Sequence, residues 1–306
     1  MMDIKSKLTG PTGEKLRKKT FGLFFSVVRL AFLLIVGYIV LYPLLFMVSA
    51  SIKTLADTLD VSHTWVPIEA TWDNFITAYD TMDFLLSFKQ TILLQMLSAF
   101  FEIFVCAFVA YGFARFKFKG KGVASFLLIL SLLVPLEMYS LGLAVNYRIL
   151  GIFNTPFAYW LPALFGVGIR SGMLIYIYQQ FFIGLPAELE DAAYVDGAGP
   201  IRTYFSIALP SSSVVIVTNT VLSIIWHWNE CYLAELCFME GSRPLSVIMS
   251  TYDVLLNINA GIASHTPLYS AAMSAGCLMY MAIPLIFYMF IQRKFVKSID
   301  RVGITG

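Results

Sequence analysis

The chain has 306 residues, of which 58% are hydrophobic and 13% charged, with a net charge of +2. Soluble domains carry roughly 25% charged residues, so this composition and its mean hydropathy of +0.77 exclude an ordinary soluble protein and indicate an integral membrane protein. So small a net charge gives no argument for nucleic acid, and what matters is where the charges fall.

The first 20 residues form a basic tail with Lys5, Lys7, Lys15, Arg17, Lys18 and Lys19. The apolar run that follows, 21–50, exceeds the 7–15 residues of a signal-peptide core, so it reads as a retained first span. Arg29 near its inner end snorkels to the interface. Residues 51–85 are acidic and carry Trp65 and Trp72, which marks an outward loop. Span 2 covers about 88–113, and the link after it holds Arg115, Lys117, Lys119 and Lys121, which faces it inward. Span 3 covers about 123–145, span 4 about 157–183, span 5 about 207–238 and span 6 about 268–291. Outward loops fall around Arg148 and at 239–267. With these boundaries about 15 of the 21 Lys and Arg lie in inward segments and about three in outward loops. The expected fold is all-α, with six transmembrane helices and both termini cytoplasmic. Its parts are a tail at 1–20, a membrane domain at 21–291 and a tail at 292–306.

Pro43, Pro135, Pro162 and Pro284 interrupt spans, which a neighbouring helix or a water-filled cavity makes tolerable. In span 6, Ser270 with Ser274, Ala271 with Ala275 and Ala272 with Gly276 stand four residues apart, which lets a neighbour approach closely. Cys106, Cys231, Cys237 and Cys277 show no CxxC pair and no His at zinc spacing, so they read as buried thiols with no metal site.

One polar segment stands apart, the loop 184–206 between spans 4 and 5. Pro186 suits a first helical turn, and Glu188, Glu190 and Asp191 place negative charge near the positive end of the macrodipole. Gly197 after Asp196 turns the chain, and Pro200 begins a second short helix. The expectation is a helix, turn, helix knob.

No phosphate-binding G-x-x-x-x-G-K, no G-x-S-x-G and no H-E-x-x-H occurs, and His63, His227 and His265 are scattered, so neither catalysis nor ATP hydrolysis is expected of this chain. Ionisable residues within spans are Glu102, Glu137, Arg170, Glu230 and Glu235. Each costs at least about 2.5–3.5 kcal/mol in hydrocarbon, which leaves two readings, an ion pair between helices or the lining of a polar pathway.

From Asp191 the knob reads Asp191, Ala192, Ala193, three residues, Gly197, nine residues, Ile207, one residue, Leu209, Pro210. This resembles the EAA loop of ABC importer permeases, with Asp in place of Glu. Pro186, Glu188, Leu189, Asp196, Gly197 and Ala198 resemble the carbohydrate-uptake branch, as do Trp228, Asn229 and Glu230 in span 5 and Asn74 and Phe75 before span 2. The tail from Gln292 to Gly306 is similar to that branch's closing motif, with Ser298 and Thr305 as departures.

The resemblance implies type I ABC importer permease architecture in a bacterial or archaeal cytoplasmic membrane, and sugar import driven by a separate ATPase. The knob would be the coupling helix docking on that ATPase through Glu188, Glu190, Asp191, Ala192, Ala193, Asp196, Gly197 and Ala198. Partners would be a second homologous permease, two copies of the ATPase carrying ATP and Mg, and an extracytoplasmic sugar-binding protein, with no cofactor on this chain. Sugar binding uses aromatic faces and hydrogen-bonding tips, which nominates Tyr139, Asn146, Tyr147, Trp226, Trp228, Asn229 and Glu230. An ion-coupled secondary carrier and a structural membrane subunit are the alternatives.

Overall fold

The computed structural model describes residues 11–60, 65–238 and 243–303, with side chains described for 21–60, 65–238 and 243–293. Lys5, Lys7, His63 and Thr305 lie outside the described residues, as do the side chains of Lys15, Arg17, Lys18, Lys19 and Ser298. The described residues form helices and no strand element beyond one isolated bridge between Lys53 and Ala70.

The first described helix is α1 (Pro11–Ser51), whose described apolar side chains stand exposed along most of its length. Short helices α2 (Leu55–Leu59) and α3 (Asp73–Thr81) lead to α4 (Phe84–Arg115), which contains a π-helical stretch at Thr91–Met96. Next come α5 (Lys121–Leu133), α6 (Leu136–Ile149), α7 (Phe157–Leu164) and α8 (Ser171–Gly184). The knob supplies α9 (Glu188–Val195) and α10 (Pro200–Ser211). The chain closes with α11 (Ser213–Asn229), α12 (Tyr232–Cys237), α13 (Leu245–Ser250), α14 (Tyr252–Ala260) and α15 (Pro267–Gly303).

Among the described residues three stretches are long and apolar enough to cross a membrane, Phe21–Ser51, Phe84–Arg115 and Pro267–Arg293. Two bent pairs raise the number to as many as five: α5 with α6 at 106°, and α10 with α11 at 78°. The expected continuous span 3 is thus broken. Pro135 has no N–H to continue a helix, and it drives Val134 before it to extended backbone, φ −87° and ψ 112°. Span 4 is likewise two helices, because Gly166 and Arg170 both take left-handed backbone in the connection. Span 5 stops at Asn229, where Glu230 turns extended before α12. Pro43 and Pro284, by contrast, sit inside unbroken helices.

The central helix is α4, which packs against α7, α8 and α11. One buried cluster joins Cys106, Ala110 and Tyr111 of α4 to Leu174, Tyr178 and Phe182 of α8 and Tyr204 of α10. At the opposite end a second cluster joins α3, α14 and α15 through Ala78, Met82, Tyr252, Leu256, Ala272 and Ala275. Asn74 fastens this end to α1, donating from Nδ2 to the carbonyls of Ser51 at 2.9 Å and Lys53 at 2.8 Å.

The small residues of span 6 find their neighbour here. A Cβ on Gly276 would collide with the Tyr252 ring. That ring is fully buried, with its hydroxyl donating to the Ala272 carbonyl at 3.1 Å, so it has nowhere to move. Gly276→Val is therefore expected to destabilise the protein by about 1–3 kcal/mol through overpacking. A lowered melting temperature in detergent checks this, and an unchanged one would refute the contact.

Candidate functional site

The knob folds as its sequence suggests. Acidic Glu188, Glu190 and Asp191 occupy the first turn of α9. At the other end Gly197 takes φ +78°, its N–H donates to Tyr194 at 3.0 Å, and the Ala198 N–H reaches back to Ala193 at 2.9 Å. These two bonds make a Schellman closure, which glycine favours because it has no Cβ to clash in left-handed backbone. Gly199 then extends and Pro200 opens α10 at its first position. Pro186 lies just ahead of the helix, and the Ala187 carbonyl accepts the first N–H groups, from Glu190 and Asp191 at 2.9 Å each.

The two faces of α9 differ. Glu188, Leu189, Asp191, Ala192, Tyr194, Val195 and Asp196 are exposed, with Gly197 beyond them. Glu190 and Ala193 are its buried residues. Glu190 therefore does not share the outer face with Asp191. Its Oε1 accepts from Arg115 Nε at 2.9 Å, inside the chain. Beneath α10, Tyr204 packs edge-on to Phe108 at 5.2 Å and tilted on Tyr111 at 5.1 Å.

Away from the knob, the three broken segments meet around a cavity of about 590 Å³. The α5–α6 bend contributes Glu137 and Tyr139, the α7–α8 connection Arg170, and the end of α11 Trp226, Asn229 and Glu230. Arg170, with φ +57°, places its guanidinium 5.2 Å from the centre of the Trp226 ring. A guanidinium over an indole face is an attractive pairing that also fixes the ring plane. Asn229 lines the cavity and donates from Nδ2 to the Ile225 carbonyl at 2.9 Å. An adjoining, more apolar cavity of about 730 Å³ shares Tyr139 and Arg170 and reaches Tyr147.

Several sequence candidates fall elsewhere. Asn146 is exposed and lines neither cavity, whereas Tyr147 is buried among Leu94, Tyr159 and Leu233. Trp228 faces α15, where its ring lies 5.3 Å from that of Tyr280 and its carbonyl accepts the Tyr280 hydroxyl at 2.7 Å. The reason is helical periodicity: at roughly 100° per residue Trp226 and Trp228 cannot share a face. Glu230 touches the cavity wall, but its carboxylate is engaged within the protein, accepting from the Tyr159 hydroxyl and from the Leu233 N–H at 2.5 Å. Its carbonyl accepts from Gln95 Nε2 at 2.5 Å and Ser246 Oγ at 2.7 Å, which joins α4, α7, α11 and α13 at one residue.

Glu102 belongs to neither cavity. It is fully buried between α4, α8 and α11, accepting from the Ser171 hydroxyl and at 3.5 Å from Ser223, with His227 Nε2 also 3.5 Å away. Glu102 thus joins α4, α8 and α11 through hydrogen bonds from hydroxyls, not through the ion pair that was one of the two readings for an intramembrane carboxylate. His227 was missed because motif spacing in the sequence does not register a partner on another helix. No group of three or more His, Cys, Asp or Glu is gathered for a metal among the described residues, and all four cysteines are free.

Residues 15–301 match the family model described as the binding-protein-dependent transport system inner membrane component. The chain belongs to this family. Within it, the chain is similar to the arabinooligosaccharides transport system permease protein AraQ of Halalkalibacterium halodurans, 25% identical over 95% of this chain and 100% of that protein. It is also similar to the galactooligosaccharides transport system permease protein GanQ of Bacillus subtilis, 23% identical over 93% of this chain and 96% of that one. Its fold is shared with a chain from the crystal structure of a bacterial ABC transporter involved in the import of the acidic polysaccharide alginate, with a TM-score of 0.75 and 21% identity over 89% of this chain and 96% of that chain. Membership in a transport-system membrane component also accounts for the absence of a hydrolytic motif in the sequence.

Proposed function

We propose that this chain is the permease subunit of an ATP-driven oligosaccharide importer and provides half of the translocation pathway. The observation that carries the reading is the knob: an exposed, acidic helix–turn–helix in a member of this family whose sequence has no nucleotide-binding motif of its own. Such an element suits docking into a cleft of a separate ATPase. The knob shares an end with the basic link of α4, as the Arg115–Glu190 contact requires, and by the positive-inside rule that end is cytoplasmic. Six spans follow if α7 and α8 together make one broken crossing beside α1, α4, α5–α6, α10–α11 and α15.

In this reading the working transporter contains a second homologous permease and two ATPase copies that hold ATP and Mg, while an extracytoplasmic binding protein delivers the sugar. The chain itself binds no cofactor. Tyr139, Trp226 and Asn229 present an aromatic face and hydrogen-bonding tips to the pathway, with Glu137 and Arg170 at its polar wall. Oligosaccharide is the proposed substrate class because the relatives named above carry such substrates in their names.

Co-expression with a homologous permease, an ABC ATPase and a sugar-binding protein from the same organism tests the assembly. The expected outcome is a purified complex of two permeases and two ATPases whose ATP hydrolysis in proteoliposomes rises when the binding protein and a mixture of arabino-, galacto- and gluco-oligosaccharides are added. A chain that purifies alone and accumulates these sugars on an ion gradient would overturn the reading in favour of a secondary carrier.

A further inference from the structure

The outer face of α9 can receive a push from a partner, yet the spans move only if something stiff joins that face to them. Two buried residues of α9 face inward, and Ala193 has too short a side chain to grip. Glu190 is the other. Its carboxylate meets Arg115, the last residue of α4, at 2.9 Å, and the same guanidinium donates from a terminal nitrogen to the Leu185 carbonyl at 2.6 Å. Leu185 caps the end of α8. One side chain thus ties the ends of α4 and α8 to the first turn of the knob.

Of the other cations of the link, Lys121 donates to the Phe116 carbonyl at 3.1 Å within the link itself. Lys117 and Lys119 are exposed, whereas the side chains of Arg115 and Glu190 keep only 17% and 6% of their surface. A planar guanidinium with fixed donor directions holds two acceptors at once, which a lysine ammonium does not do in a defined geometry. Tyr204 of α10 packs on Tyr111 and Phe108, about one and two turns before Arg115 on α4, so both knob helices bear on the same end of the central helix.

We propose that Arg115 is a positioning residue for energy coupling: the Arg115–Glu190 pair, braced on Leu185, is the strut that transmits motion of the knob to α4 and α8. The proposal rests on the importer reading. It assigns Glu190 an internal role and leaves docking to the exposed residues around Asp191.

The test compares Arg115→Glu, Glu190→Arg, the doubly substituted swap and Arg115→Lys in the reconstituted complex, with Lys117→Glu controlling for charge at the membrane surface. The quantity is uptake of the oligosaccharide mixture per ATP hydrolysed. Each charge reversal is expected to lower it more than about tenfold and the swap to restore it to within about threefold, since a pair interaction is what a double-mutant cycle isolates. Arg115→Lys should fall between wild type and the reversals, and Lys117→Glu should stay within about twofold of wild type. Single reversals without effect, or a swap no better than either single, would overturn the strut. Hydrogen exchange over residues 188–203 separates this from failure of the function itself. If wild type hydrolyses ATP but accumulates no sugar, the importer reading fails, yet the strut still stands if exchange rises more than about tenfold in the singles and returns in the swap.

Discussion

Gly197→Pro is expected to abolish the sugar-stimulated part of ATP hydrolysis, lowering it more than about tenfold, while the chain still inserts in the membrane. Proline is locked near φ −65° and Gly197 stands at +78°, so the substitution cannot be absorbed locally. It also removes the N–H that Tyr194 accepts, and it pulls Ala198 out of reach of Ala193. Both bonds of the Schellman closure are lost with it, which undoes the C-terminal stop of a helix only eight residues long. Gly197→Ala keeps the N–H and carries only the Cβ clash of left-handed backbone, about 1–2 kcal/mol, so it should weaken coupling without abolishing it. Proteoliposome ATPase rates with and without the oligosaccharide mixture make the measurement, and full stimulation in the proline variant would remove the knob from the coupling path. A bulky residue at Ala193 should act by a different route. That side chain is buried against the protein itself, so enlarging it lifts α9 off the bundle.

The second large effect is expected at Glu230. Replacing it by alanine leaves the buried Tyr159 hydroxyl and the Leu233 N–H without their acceptor. Hydrogen bonds to charged groups contribute about 1.5–3 kcal/mol each, and buried donors left unpaired cost comparable amounts. The loss in Glu230→Ala is therefore about 3 kcal/mol or more. It should appear as a lowered melting temperature and reduced yield of monodisperse protein in detergent, with Glu230→Gln intermediate because an amide oxygen still accepts. Were Glu230 instead a sugar contact, alanine would leave stability intact and change uptake alone. The two measurements together decide between these roles.

Local features were legible in the sequence where local chemistry decides the outcome. Gly197, Pro200 and the acidic first turn fixed the knob because capping and φ preference act within a few residues. The crossings were legible as apolar runs, but their breaks were not. Pro43 and Pro284 lie in unbroken helices, Pro162 lies inside α7, and Pro135 ends α5, so one residue type has opposite outcomes. The difference lies in what surrounds each proline. Pro135 lines the cavity, where backbone released from a helix need not face lipid. Side-chain direction was equally hidden. Glu190 and Asp191 look interchangeable in a string of acids, yet the turn of α9 sends one to Arg115 and the other outward. The tripeptide Trp228, Asn229 and Glu230 suggested a pathway, yet Trp228 turns to α15 and the Glu230 carboxylate is engaged within the protein, which leaves Asn229 as the cavity-lining residue of the three with no such engagement of its own across helices. Arg115 was counted among inward cations because nothing local distinguishes it from Lys117.

The long first helix has a mechanical consequence. The described polar bonds that moor α1 to the rest of the protein sit at one end, where Ser49 donates to the Trp65 carbonyl and Asn74 reaches Ser51. α1 also packs against α15, and its side chains before Ser49 are mostly exposed aliphatic and aromatic ones. Lipid tails are as apolar as those side chains, so trading one for the other is nearly isoenergetic. The helix is thus a hinged float. In the importer reading, α1 would tilt about its Ser49 mooring as the core helices move, with acyl chains filling the gap and the membrane seal preserved.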